Sequence, residues 1–231
     1  MSGPLRVISS MATARLLREL VDQYQQNTGQ TVELISIGGV DAAQRVADGE
    51  AFDLVVLEQN AIDKLAAAGQ ARSASVAPLA GSRVAIAVQA GQPLPDISSA
   101  SALRAAVLAA RTIGYSTGPS GRALLQLLAQ WGLTPEDSNR LIQAPPGMPV
   151  GKLVAQGKVE IGFQQRSELI HLSGISIVGE MPDELAIVTV FAGAICTAST
   201  QANNADQLLR FLTAPAVASV VRAQGLLPPT P

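Results

Sequence analysis

Short apolar runs and amphipathic stretches take turns along the chain from its first residues. Leu5 to Ser9 is an apolar run of strand length, and Met11 to Gln26 sets Leu16, Leu17, Leu20, Val21 and Tyr24 on one helical stripe. Gly29 stops that helix. Thr31 to Ile37 alternates as a strand does, and Gly38-Gly39 turns into a helix carrying Val40, Ala43 and Val46. Phe52 to Leu57 predicts another buried strand, and Asn60 to Ala68 another helix, closed by Gly69. An order of β-α-β-α-β-α predicts a parallel sheet with helices on both faces.

A second set begins at the strand Arg83 to Val88. After a Pro/Gly loop come a helix around Ala102 to Ala110, a strand at Thr112 to Tyr115 and a helix from Ser120 to Trp131. Leu141 to Ala144 and Val159 to Phe163 are further strands with a short helix near Val150 to Gln156 between them; Ile175 to Val178 adds one more. The apolar segment Ala186 to Cys196 then leads to helices at Ala205 to Leu212 and Pro215 to Gln224. The segments near 83 and 190 bracket this set. If the chain crosses and returns there, it forms two α/β lobes, 1–82 plus 190–231 and 83–189, each a mostly parallel sheet flanked by helices and joined by a two-strand hinge. Ligands of open α/β sheets bind beyond the strand ends, which predicts a cleft there.

Four strand-to-helix loops are candidates for that chemistry: Ser9-Ser10-Met11, Gly38-Gly39-Val40, Tyr115-Ser116-Thr117-Gly118-Pro119-Ser120-Gly121, and the run Pro146 to Gly151 with Val150 at its helix start. A helix start offers unpaired N–H groups and a positive dipole end, glycine admits a ligand to the backbone, and hydroxyls add donors. Capping and turn chemistry uses the same residues, so any one loop is ambiguous. The third holds more hydroxyls and glycines than a cap requires. It lacks the Gly-Lys-Ser/Thr of a nucleotide loop, and Arg122 stands where the last glycine of a hydrolase elbow belongs. Gln164 and Gln165 follow a strand and could donate amide N–H groups to an anion. Glu58, at a strand end, and His171, the one histidine, are the candidate bases for proton transfer.

Composition narrows the reading. Of 231 residues 48% are apolar and only 3% aromatic, and the net charge is −2 without a basic run, so no nucleic-acid partner is expected. One cysteine, Cys196, and one histidine give no disulfide and no zinc set, and neither a metal nor another cofactor is expected. The longest apolar run is too short to cross a bilayer, so membrane insertion is not expected. The N-terminal residues show no charged lead or apolar signal region, which predicts a cytoplasmic protein, or a periplasmic one if a signal segment has been removed.

The run Val7-Ile8-Ser9-Ser10-Met11-Ala12-Thr13, the phrase Phe52-Asp53-Leu54-Val55-Val56-Leu57 and the ending Phe211-Leu212-Thr213-Ala214-Pro215 with Gln224-Gly225-Leu226 resemble the molybdate-binding type of periplasmic solute-binding protein over essentially the whole chain. The resemblance implies the type II binding-protein fold and a tetrahedral oxyanion held by helix-start amides and hydroxyls, with Ser10 matching the serine of the family's first loop. Gly38-Gly39 replaces a serine usual in the second loop, and Gln164 stands in the region of a usual tyrosine. The third loop and Ala144-Pro145-Pro146-Gly147 look more like the aconitate-isomerase branch of the fold. Two readings follow: a protein that binds a small anion, an oxyanion or carboxylate, with an ABC permease as partner if it is exported; or a cofactor-independent isomerase of a di- or tricarboxylic acid.

Overall fold

The computed structural model describes residues 3–134 and 139–229; Met1 and Ser2, at the head of the N-terminal run, lie outside the described residues. The chain starts with β1 (Leu5–Ser10), one 3-10 turn over Met11–Thr13, α1 (Ala14–Thr28), β2 (Val32–Ile37), α2 (Gly39–Ala47), β3 (Leu54–Glu58), α3 (Gln59–Ala67) and β4 (Ala77–Gln89). It continues through α4 (Ala100–Ala109), β5 (Ile113–Tyr115), α5 (Pro119–Gln130), β6 (Leu141–Gln143), α6 (Val150–Ala155), β7 (Ile161–Gln165), α7 (Arg166–Leu169) and β8 (Ile175–Glu180). It closes with β9 (Val188–Ile195), α8 (Ala202–Leu212) and α9 (Ala218–Ala223). Two compact units result, Met1–Gly81 with Val190–Pro231, and Ser82–Thr189. The chain passes from the first unit to the second inside β4 and returns inside β9.

In unit 1, β1 lies between β2 and β3 and runs parallel to both, while β9 is antiparallel on β3. Alternation along β1 sends Val7 to one face and Ile8 to the other, which is why this strand reads as continuously apolar. Leu5 and Val7 pack with Leu16, Leu20, Leu208 and Leu212 of α1 and α8. Ile8 and Val55 pack with Val46, Ile62 and Leu65 of α2 and α3.

In unit 2, β7 and β6 run parallel to β5, but β4 is antiparallel to both β7 and β8. β4 is thus the one strand among β4 to β8 that runs against the others: an apolar run reports burial, and carries no information on strand direction. Val84, Ile86 and Phe163 face α4 and α5 through Leu103, Val107, Leu124 and Leu128. Ala85 and Ala87 face Leu169 on the opposite side.

β4 is longer than the expected strand, because its first residues belong to unit 1. The expected C-terminal helix is a 3-10 turn, Pro215–Val217, followed by α9. The four-residue α7 was not expected. Among the described residues no helix is long and apolar enough to cross a membrane.

Candidate functional site

Parallel register brings the ends of β1, β2 and β3 to one edge of unit 1, with Ser9 opposite Ser36 and Val56. Ser9 is fully buried, and its Oγ lies 2.7 Å from Ser36 Oγ, so this hydroxyl is held inside the sheet. Ser10, 7% exposed, precedes the 3-10 turn, with its Oγ 3.4 Å from Thr13 Oγ1. Met11 is half-buried. Gly39 opens α2 against Ser10: a Cβ there would sit 3.5 Å from Ser10 Cβ. At Gly38 the neighbour is Asp41, whose Oδ2 is 3.0 Å from a Cβ built on the glycine. A carboxylate therefore already stands at the start of α2 and interacts favourably with its dipole. The Val40 side chain is 60% exposed and turned to solvent, so the segment offers its backbone alone. Glu58, half-buried at the end of β3, accepts from Asn60 Nδ2 at 2.6 Å.

In unit 2 the corresponding edge lies at the ends of β5, β6 and β7. Gly118 is the N-cap of α5 with no side-chain bond to the helix, and Pro119 occupies the first turn. Ser120 and Gly121 are buried, and Ser116 Oγ and Ser120 Oγ stand 3.4 Å apart. The Ser116 carbonyl oxygen is so close to Gly121 that a Cβ there would come within 1.9 Å of it, which makes this glycine obligatory for the loop. Thr117 and Arg122 are both exposed. β5 and β7 pair through Gly114↔Gly162, so Gln164 and Gln165 at the end of β7 lie at the same end of the sheet as the loop that follows β5.

The two glutamines point to opposite faces. Gln164, 2% exposed, accepts the Gly151 N–H on Oε1 at 3.2 Å and donates from Nε2 to Glu168 Oε2 at 2.6 Å. Gln165, 4% exposed, donates from Nε2 to Thr189 Oγ1 at 2.6 Å, and its buried Oε1 has no partner among the described residues. Val150 is fully buried, and the amide beside it, Gly151, is already engaged by Gln164. His171 is exposed beyond the end of α7.

The sequence reading missed Glu168. It is half-buried on α7, and burial pushes its carboxyl up to about 7 against the downward pull of the Gln164 amide. It missed Ser36 and Thr13 as well, since nothing in a run of letters says which hydroxyl stands opposite which. Cys196 is 1% exposed, and burial together with the neighbouring Asp53 charge pushes its thiol up to about 12, which leaves it inert. A cavity of about 1040 Å³ in unit 2 lies at the other end of β5 and β7, against Thr112 and Ile161, and touches none of the expected residues.

The family model described as bacterial extracellular solute-binding protein matches residues 5–227. The chain belongs to that family. This solute-binding protein is also 34% identical over 229 residues to an aconitate isomerase of a Pseudomonas species, covering 97% of this chain and 87% of the relative. Among solved structures it is similar to the periplasmic molybdate-binding protein of Azotobacter vinelandii, with a TM-score of 0.82 at 20% identity over 98% of this chain and 100% of that one. It is similar too to a sulfate-binding protein of Mycobacterium tuberculosis H37Rv, with a TM-score of 0.80 at 18% identity over 100% of this chain and 88% of the other. The fold is that of the type II periplasmic binding proteins.

Proposed function

We propose that this solute-binding protein takes a small unsaturated polycarboxylate at the strand ends and isomerises it by moving its double bond. The observation that carries this reading is the 34% identity to aconitate isomerase across nearly the whole of both chains. The local chemistry supports the anion half: uncapped amides at the start of α5 and the Ser116 and Ser120 hydroxyls. The proton-transfer half is supported by carboxyls at the strand ends. Glu58 and His171, the bases expected from sequence, are respectively bonded to Asn60 and exposed beyond α7. No cofactor enters the reaction, because an allylic proton shift needs only a base and donors for the enolate-like charge.

A second reading, an oxyanion carrier, is favoured by the likeness to the molybdate-binding protein. In that reading the partner is an ABC permease and the compartment the periplasm. The deciding experiment incubates the protein with cis- and trans-aconitate, follows each isomer by proton NMR, and runs thermal shifts in parallel with aconitate, molybdate, tungstate and sulfate. Interconversion, with stabilisation by aconitate, is the expected result. Stabilisation by molybdate or tungstate without aconitate turnover would replace the isomerase with the carrier.

A further inference from the structure

Three observations converge on one side chain that neither the loops nor the expected bases include. Glu168 stands at the end of β7, the edge to which Ser116, Ser120 and Val150 also belong. Its Oε2 is fixed by the Gln164 amide at 2.6 Å, and Gln164 is itself 2% exposed and pinned through Oε1 to the Gly151 N–H. The charged and titratable groups of the surrounding elements are Arg166 and His171 from its own segment, Lys152 from α6, Arg83 from β4 and Glu180 from β8. Arg83 and Arg166 are drawn to Glu180, at 3.1 and 3.8 Å, and no ion pair of Glu168 occurs among the described residues. A carboxylate withdrawn from water is stabilised in its charged form by a cation beside it, and among the described residues Glu168 has none. This one is held in place by a neutral amide, which orients it and leaves it able to take and release a proton.

We propose that Glu168 is the catalytic base of the isomerisation, with Gln164 as its positioning residue. The assignment rests on the isomerase reading above. The Glu168 carboxylate removes a proton from the methylene carbon next to the double bond. The C–H electron pair becomes the new C=C bond, and the former π pair passes to the far carbon, stabilised as an enolate by the carboxylate attached there. Protonated Glu168, whose carboxyl proton exchanges with water while the intermediate is bound, then delivers a proton to that far carbon. The substrate leaves with its double bond moved by one carbon, the glutamate is regenerated, and no oxidant or co-reactant is consumed. A carboxyl raised to about 7 is matched to this task near neutrality.

The test compares wild type with Glu168→Gln, Glu168→Asp and Gln164→Leu, reading isomerisation, its pH profile, deuterium uptake from D2O into aconitate, and thermal shift by aconitate. Expected for Glu168→Gln is a fall in kcat of about a hundredfold or more, loss of deuterium uptake, and a retained thermal shift. Glu168→Asp keeps an acid limb at a reduced rate, which shows that the site tolerates substitution at this position. In Gln164→Leu the bond that lowers the Glu168 pKa is gone, so the acid limb of the profile moves to higher pH; a merely structural effect would lower the rate without moving it. Glu168→Gln with activity within about threefold of wild type overturns the assignment and leaves the isomerase reading standing. Wild type that neither isomerises nor exchanges overturns the isomerase reading, and the assignment with it.

Discussion

Burial holds the Glu168 carboxyl near 7, against an ordinary value of 4.5, and this carries a sign for stability. Between those two pH values the native protein keeps a proton that the unfolded chain has released. Stability contributed by the protonated form is therefore complete below about pH 4.5 and lost as pH rises through about 7. Glu168→Gln carries no charge to bury. It is expected to melt above wild type at any pH beyond about 7, with the gap closing as the pH falls towards 4.5, as followed by calorimetry. Equal melting temperatures at alkaline pH would mean that the carboxylate is well solvated. A gain in stability from removing a functional group is the usual trade at such sites. None of this was legible in the letters Arg166-Ser167-Glu168-Leu169. The raised pKa comes from what covers the side chain, and the bond to Gln164 depends on a four-residue helix too short to leave a periodic signal.

Hydroxyl and glycine content made the loop before α5 visible from sequence, because turn and helix-start chemistry is local. Its two residue types are expected to fail differently. Gly121→Ala drives a Cβ into the Ser116 carbonyl, so the loop must separate from α5; both melting temperature and anion response are expected to drop. Ser116→Ala with Ser120→Ala removes only hydroxyls whose oxygens stand 3.4 Å apart, and should leave the melting temperature nearly unchanged. If those hydroxyls reach the anion, its affinity falls by about tenfold or more in a calorimetric titration, the scale of one hydrogen bond to a charged group. Unchanged affinity would remove this loop from the site. α2 behaves in the opposite sense. Asp41 lies over the Gly38 end of the helix, where an anion would otherwise gather, and Gly38-Gly39 gave no sign of that in the sequence. The direction of β4 was equally hidden, since its apolar residues would read the same in a parallel or an antiparallel ladder.

At the scale of the molecule, alternation of strand and helix was enough to read the α/β class of the fold. What alternation does not convey is how much each body leans on distant sequence. The face of β1 that holds Leu5 and Val7 is covered by Leu208, Leu209 and Leu212 of α8 and Val221 of α9, all buried. Each such side chain is worth about 1.5–3 kcal/mol when buried, against a total stability of about 5–15 kcal/mol for a domain. A chain ended after Thr200 is therefore expected to lose unit 1, and hydrogen exchange should find the amides of β1 to β3 unprotected. Unit 2 keeps its own apolar clusters and its protection. Protection persisting throughout β1 would mean that the sheet and α1 suffice without α8 and α9.

Because unit 2 is a continuous stretch set between the two pieces of unit 1, the order of synthesis differs from the order of assembly. A ribosome delivers β1 to β3 first, and then roughly a hundred residues of the other unit, before β9, α8 and α9 emerge. At about 5–20 residues per second that interval is on the order of ten seconds. Throughout it, an apolar sheet face waits uncovered on the nascent chain while the inserted unit already has all its own partners. The same topology that builds two bodies from one chain thus leaves a sheet made early to be completed by helices made only after the inserted unit.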